Sequence, residues 1–323
     1  MRISIAMCTY NGARWLGEQL ASLATQQRPP DELVVCDDRS GDSTVEIVRA
    51  FASSATFPVR LIVNETNLGP AANFGKAMSL CGGDVIFFSD QDDVWLPDKI
   101  ARMTALIETA PEVGAVLGDA ELVDDTLRPL PGSLWDAIPF TPAEQAAVRS
   151  GKAAQVLVKK NVATGATMAF RAEYRKLALP VPHIERCMHD AWVALLVSAV
   201  AEIALLPEPV IRYRLHAGNR VGTRRRSFSE QIAMGREHVR SRAFLHDAEI
   251  FAAARDRLAA SHTRLAPEFE RLVEGKIRHM MNRHQMPRGF LLRLPAICRE
   301  VRTGGYSKYS LGWRSLAQDL FLR

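Results

Sequence analysis

Val85-Ile-Phe-Phe-Ser-Asp90-Gln-Asp92-Asp93-Val-Trp-Leu-Pro97 is the stretch from which the fold of this chain is read. Its first four residues, Val85 to Phe88, are uniformly apolar and of strand length, the mark of a short buried strand. The strand ends abruptly in Asp90, Asp92 and Asp93. Carboxylates packed this closely repel one another, and each is costly to desolvate without a partner. A cation at the strand mouth removes both costs. Hard divalent ions take oxygen ligands, and Mg²⁺ or Mn²⁺ typically uses one or two carboxylates plus the phosphate oxygens of a substrate. The plainer alternative is an acidic loop capping the next helix, with Asp93 or Asp98 as N-cap near Pro97.

Upstream the same pattern recurs. Ile3 to Met7 is a strand-length apolar run that ends in Cys8-Thr9-Tyr10-Asn11-Gly12, and Leu16, Leu20 and Leu23 then follow at helical spacing until Arg28-Pro29-Pro30. Leu33 to Cys36 is a second strand, ending in Asp37-Asp38-Arg39-Ser40-Gly41-Asp42, with Asp42 or Ser43 capping the helix behind it. Val59 to Val63 is a third, and Asn67-Leu68-Gly69-Pro70 turns into a helix through Phe74 and Met78. Strands alternating with helices imply an α/β domain with a mostly parallel sheet and helices on both faces. Ligands of such sheets bind beyond the carboxyl ends of the strands. Three polar clusters fall at those ends, and their convergence points to a binding site more strongly than any one of them. Alone, Asp37-Asp38 reads as a turn with capping side chains; beside the other clusters, either carboxylate can accept from a pyrimidine N–H or a ribose hydroxyl. No Gly-x-Gly-x-x-Gly follows the first strand and no Gly-Lys-Ser/Thr loop occurs, which disfavours a dinucleotide oxidoreductase or a P-loop nucleotidase.

The chain has 323 residues, enough for one large domain or two ordinary ones, and its 47% apolar and 24% charged content is that of a soluble globular protein. Cys8, Cys36, Cys81, Cys187 and Cys298 have neither metal-like nor disulfide-like spacing, so free thiols in a reducing, cytoplasmic setting are expected. The sequence enters a strand at once, without a signal peptide. Ala191 to Leu206 is the best candidate membrane span, but it is short, contains Glu202 and is closed by Pro207; a buried helix running into a strand is the better reading.

Taken in order, Cys8-Thr9-Tyr10-Asn11, Asp37 to Asp42, Asn67-Leu68-Gly69 and Asp90 to Pro97 resemble the motifs of glycosyltransferase family 2, inverting sugar transferases with the GT-A nucleotide-sugar fold. The resemblance covers about the first 110 residues. Ser89 to Trp95 and Thr164-Gly165-Ala166-Thr167 look most like bacterial rhamnosyltransferases, which implies dTDP-rhamnose as donor. The acceptor so implied is a saccharide, lipid-linked at the inner face of the cell membrane, in cell-surface polysaccharide synthesis. The likeness puts Thr9, Tyr10, Asn11, Asp37, Asp38, Asn73, Asp90 and Arg214 at the nucleotide sugar. It puts Asp92, Asp93 and His216 at a Mg²⁺ or Mn²⁺ ion, and Asp190 in the place of the catalytic base. The family's usual Glu-Asp is here His189-Asp190. On residues alone, Asp190 at a helix start also fits an N-cap. Val210 to Leu215 reads as an alternating strand running into His216-Ala217-Gly218-Asn219-Arg220, where Arg212, Arg214 or Arg220 can neutralise phosphate oxygens.

These signals make 1–225 the catalytic domain, with 1–118 as its nucleotide-sugar half and 119–225, loops and short edge strands at first, as its acceptor half. Residues 226–323 form a helical, basic region (Ile232 to Ala259, then Phe269 to Met281), broken by Pro287, Pro295 and Gly304-Gly305. Arg278 to Arg323 holds nine Arg or Lys against Glu300 and Asp319 alone, interleaved with Phe290, Leu291, Leu292, Trp313 and Phe321. That mixture fits peripheral contact with an anionic membrane surface; the alternative is a helical subdomain that packs on the catalytic domain or makes a homo-oligomer. Arg224-Arg225-Arg226 has no recognised module around it, so no nucleic-acid partner is expected. Two rival functions use the same architecture. A non-catalytic scaffold sits poorly with an intact acidic cluster and Asp190, and a sugar nucleotidyltransferase wants a Gly- and Arg/Lys-rich loop where Cys8-Thr9-Tyr10-Asn11 stands.

Overall fold

A computed structural model of the chain describes residues 1–216, 241–261 and 266–322, together with 233, 236, 237 and 239. The Ala217–Arg220 stretch, Arg224–Arg226 and Ile232 lie outside the described residues. Two compact units emerge. The first comprises Met1–Gly151, Val162–Val181 and the described residues from Met188 to His216; the second takes Lys152–Asn161, Pro182–Cys187 and the described residues from 233 on.

In the first unit β1 (Ile3–Thr9), α1 (Leu16–Ala24), β2 (Glu32–Asp37), α2 (Thr44–Ser54), β3 (Val59–Val63), α3 (Pro70–Leu80) and β4 (Val85–Ser89) alternate as the hydrophobic runs require. Every residue of β1, β2 and β4 is buried, which is why these strands read as continuous apolar runs. The pairings β3–β2, β2–β1 and β1–β4 are all parallel. Their register sets Thr9 level with Asp37 and Met7 level with Ser89, so the polar residues that follow leave the sheet along one edge.

Beyond β4 the sheet changes character. After β5 (Val94–Trp95) and α4 (Lys99–Thr109) come β6 (Val113–Val123), β7 (Pro129–Ser133), α5 (Leu134–Ala137) and α6 (Pro142–Arg149). Next is α7 (Ala153–Lys159), which groups with the second unit, then β8 (Met168–Arg171), α8 (Arg175–Ala178), α9 (His189–Val197) and β9 (Glu202–Arg214). The strand order is β3-β2-β1-β4-β8-β6-β9-β5, with β7 on β6. β8 runs antiparallel to both β4 and β6, while β6 and β9 are parallel. Instead of loosening at Gly118, the chain continues through an eleven-residue strand, and β9 begins well before Val210. Register shifts at Gly118/Asp119 and Asp119/Ala120, opposite Pro209, hide this long pair from any simple alternation.

The second unit adds α10 (Ala243–Ala260), α11 (Pro267–His284), α12 (Phe290–Arg302), α13 (Gly305–Tyr309) and α14 (Trp313–Phe321). Pro295 lies inside α12 and does not end it. The ring removes one N–H near the exposed start of the helix, where Leu291, four residues earlier, is 76% exposed and leaves its carbonyl to water. No disulfide joins the five cysteines. Among the described residues no helix is long and apolar enough to cross a membrane.

Candidate active site

A cavity of about 360 Å³ opens where β1, β2 and β4 end. Of the residues expected there from sequence, Thr9, Tyr10, Asp38 and Asn73 line it on one side of the acidic loop, and Asp90, Asp92 and Asp190 complete its wall.

The β1 end is held by a reciprocal pair. Tyr10 N–H donates to Gln91 Oε1 at 2.8 Å, and Gln91 Nε2 donates to the Tyr10 carbonyl at 3.1 Å. Gly12 makes this approach possible, since a Cβ there would lie 2.2 Å from Gln91 Oε1. The loops after β1 and β4 are thereby fastened to each other. Asp38, almost fully buried, accepts from Leu68 N–H (2.7 Å) and Asn64 Nδ2 (2.8 Å) at Oδ1, and from Gly69 N–H (2.9 Å) at Oδ2. These bonds fix the turn in which Gly69 takes a φ of +77° and hands the chain to Pro70 at the start of α3. Asn73 Nδ2 donates to the Cys36 carbonyl at 2.8 Å, tying α3 to the end of β2.

Burial, and then the charges of Asp92 and Asp190, push the Asp90 carboxyl up to about 7. The acidic wall is thus held together against its own repulsion. His216 Nε2 lies 2.8 Å from Asp92 Oδ2, with its ring stacked on Trp15 at 4.1 Å. Beneath the wall Lys99 is fully buried, donates from Nζ to the Ala166 carbonyl at 2.6 Å and lies 3.4 Å from the centre of the Trp95 ring. Burial pulls its ammonium well below the usual range, against the pull of Asp93 and Asp90.

Asp190 is the second residue of α9, and Met188 holds the N-cap position. The capping alternative therefore fails. The carboxylate instead accepts from Gly165 N–H at 2.9 Å and from Ala191 N–H at 2.6 Å. Gly165 belongs to the Thr164–Thr167 turn at the entrance to β8, where the sequence indicates a close backbone approach. A Cβ on Gly165 would meet His189 Nε2 at 2.8 Å. His189 stacks on Phe74 at 3.8 Å and meets the edge of Phe88 at 4.7 Å. Burial lowers its imidazole to about 4 despite Asp190 beside it, so the ring is neutral near pH 7.

Five of the expected residues lie off the cavity wall. Asp37 is fully buried and takes bonds from the Thr9 hydroxyl, Ser40 N–H and the Ser40 hydroxyl, so its oxygens serve the turn. Asn11, at φ 48°, accepts from Gly41 N–H and braces the same turn. Asp93 is 1% exposed, accepts from Arg214 N–H at 3.0 Å and is raised well above the usual carboxylate range by burial and by Asp92 and Asp90. It sits behind the wall. Arg214 is buried as well: it donates to the carbonyls of Asp92 (2.7 Å) and Asp125 (2.6 Å) and pairs with Glu18, positioning the acidic loop from behind. His216 does not line the cavity and meets the wall at Asp92. Conversely, Gln91, Phe74 and Tyr213 line the cavity without having been singled out for it. Burial, followed by Asp93, Asp90, Asp92 and Asp190, drives the Tyr213 hydroxyl far above its ordinary range.

Among the described residues no group of three or more His, Cys, Asp or Glu side chains is gathered to hold a metal unaided. Two carboxylates beside a cavity, with one of them raised by burial and by its neighbours, still suit an ion whose other ligands come from substrate phosphates.

The family model described as Glycosyl transferase family 2 matches residues 4–155. An uncharacterized glycosyltransferase of Nostoc sp. is 25% identical over 242 residues, covering 72% of this chain and 70% of its own. The dTDP-rhamnosyl transferase RfbG of Shigella flexneri is 38% identical over 98 residues, which cover 29% of this chain and 34% of that protein. The mannosyltransferase PcManGT of Pyrobaculum calidifontis, solved with GDP-Man and Mn²⁺, superposes with a TM-score of 0.56 at 18% identity, covering 99% of this chain and 84% of that one. The fold shared with that structure is GT-A, the fold class expected from sequence.

Proposed function

On the match of residues 4–155 to the Glycosyl transferase family 2 model, we propose that this chain transfers a sugar from a nucleoside-diphosphate donor to a saccharide with inversion at the anomeric carbon. The observation that carries the reading is a single cavity with Asp38 at one end, the Asp90/Asp92 wall beside it and Asp190 fixed by two backbone N–H groups. Asp38, Asn73 and the Thr9-Tyr10 turn seat the nucleoside. Asp92 and Asp90, with His216 bonded to Asp92, would hold Mg²⁺ or Mn²⁺. When bound, that ion neutralises charge on the departing diphosphate. Asp190 takes the proton as the acceptor O–H bond breaks. The new C–O bond forms at the anomeric carbon while the bond to the diphosphate oxygen breaks with its electron pair. One base suffices, because a nucleoside diphosphate leaves without the protonation that a glycosidase must supply.

The likeness to a dTDP-rhamnosyl transferase over 98 residues supports dTDP-rhamnose as the donor. The acceptor of this reading is a lipid-linked saccharide at the cytoplasmic face of a membrane. Asp190→Asn tests the chemistry. Donor affinity by calorimetry should stay within about twofold of the parent while transfer falls by roughly three to four orders of magnitude, the upper range for losing a general base. Equal loss of binding and transfer would make Asp190 a structural residue and overturn the assignment.

A further inference from the structure

The last helices of the second unit sort their charges in a way that composition does not reveal. The acidic residues between Arg278 and Leu322, Glu300 and Asp319, are both buried and both spent inside the unit. Glu300 pairs with His279, and Asp319 accepts from Arg283 at 2.7 Å and from the Tyr306 hydroxyl at 2.9 Å. Arg283 and Arg293 are buried too. The strongly charged side chains that remain exposed in this segment are Arg278, Arg288, Arg299, Arg302, Lys308 and Arg314, all of them cations.

The exposed apolar surface gathers in the same helices. Of the eleven large hydrophobic side chains that stand exposed among the described residues, seven lie between Phe290 and Phe321. Leu291 is 76% exposed, Trp313 74%, Leu292 72% and Phe321 71%. The start of α12 and the end of α14 are joined, since Arg293 donates from Nη2 to the Leu320 carbonyl at 2.8 Å. The segment that carries Phe290, Leu291 and Leu292 is thereby tied to the one that carries Phe321, and the same Arg293 donates to the Arg288 carbonyl. A protein partner usually meets apolar groups in a patch low in charge. Exposed apolar side chains on helices whose exposed charges are all cations, with Arg314 Cζ 5.9 Å from the Trp313 ring, match a surface that is anionic at its face and apolar just beneath.

We propose that α12 and α14 dock this chain on an anionic lipid bilayer, with Leu291, Leu292, Trp313 and Phe321 entering the acyl boundary and Arg288, Arg302 and Arg314 resting on headgroups. The proposal holds whether or not sugar transfer is the reaction. Its test is flotation of the full chain with phosphatidylcholine vesicles, with and without phosphatidylglycerol. Binding should require the anionic lipid and weaken steeply with salt. The pair Leu291→Ser/Leu292→Ser should lower the partition by about tenfold or more, given the apolar area withdrawn. Arg288→Glu/Arg314→Glu should lower it comparably, at about a factor of five for each cation lost. These positions are exposed, so unchanged circular dichroism and melting temperature separate lost docking from lost folding. Equal flotation with neutral lipid, or variants that bind as the parent does, would overturn the proposal. So would a dimer, seen by light scattering, that dissociates in the serine pair while parent flotation is absent; the face would then be a contact between copies. Retention on heparin that neither pair alters, without flotation, would mark a general polyanion surface and overturn it as well.

Discussion

His189 shows how much a single side chain can be fixed by its surroundings. Phe74 covers one face of the ring, Phe88 meets it edge-on, and Gly165 leaves room for Nε2 because it has no Cβ to place there. The imidazole is dry, and burial holds it near 4. In the unfolded chain it takes its proton near its ordinary value of about 6.5. Between those limits the unfolded state binds more protons than the folded one, so stability falls as pH drops from 6.5 to 4 and is fully retained above 6.5. The whole effect is about 3 kcal/mol, with about 2 kcal/mol of it gone by pH 5. His189→Leu should remove this slope, and urea midpoints at pH 7 and pH 5 would display it. A variant that loses stability as steeply as the parent would exclude His189 as its source. The Leu ring-substitute also leaves Asp190 without its neighbour, so donor binding measured at pH 7 reports separately on the site.

At the scale of elements, the second unit contains an arrangement that invites misreading. Ser310, His279 and Glu300 are hydrogen-bonded in series, the order of a nucleophile, its base and the group that orients the base. All three are 5% exposed or less, and Arg283 also donates to Ser310 Oγ at 3.2 Å. The series is a cross-tie: α11 supplies His279, α12 supplies Glu300, and Ser310 follows α13. His279→Ala should lower stability by about 2–4 kcal/mol, because a buried carboxylate and hydroxyl each lose one of their partners, keeping Asn282 and Arg283 respectively. Urea unfolding followed by circular dichroism measures it; a midpoint unchanged from the parent would mean water replaces the imidazole. None of this tie is visible in sequence, where His279 and Glu300 are ordinary members of basic amphipathic helices. β1, β2 and β4 are legible for the opposite reason, since burial on both faces writes each as a largely apolar run, whereas β3, which carries Arg60, is only partly buried. Asp90 and Asp92 could be found because the cluster is local. The inward turn of Asp93 could not, as no periodicity governs a loop between two strands. Tyr213 lies in the alternating Val210–Leu215 run, and alternation alone does not say which of its side chains meets a cavity.

For the molecule as a whole, the formal net charge of +5 says little about the site, where Asp38, Asp90, Asp92 and Asp190 line one cavity. Under the proposed function a diphosphate entering it would meet four carboxylates, and repulsion of that kind would make nucleotide uptake depend on a cation. Thermal-shift measurements with dTDP should therefore show a rise in melting temperature with Mn²⁺ or Mg²⁺ and none with chelator. Saturation at about a hundred times Kd corresponds to roughly 2.7 kcal/mol. A full shift in chelator would remove the ion from the binding step. The reversal of direction at β8 has its own consequence. Between Asp90 and Gly165 the chain adds β5, β6 and β7 to the same sheet before β8 returns antiparallel beside β4 and β6, so two loops far apart in sequence come to lie beside neighbouring strands. What lies between, from β7 through α6, is an excursion with both ends anchored. Under the proposed transfer reaction it would be the segment to exchange for a change of acceptor, with Asp190 and the Asp90/Asp92 wall left in place.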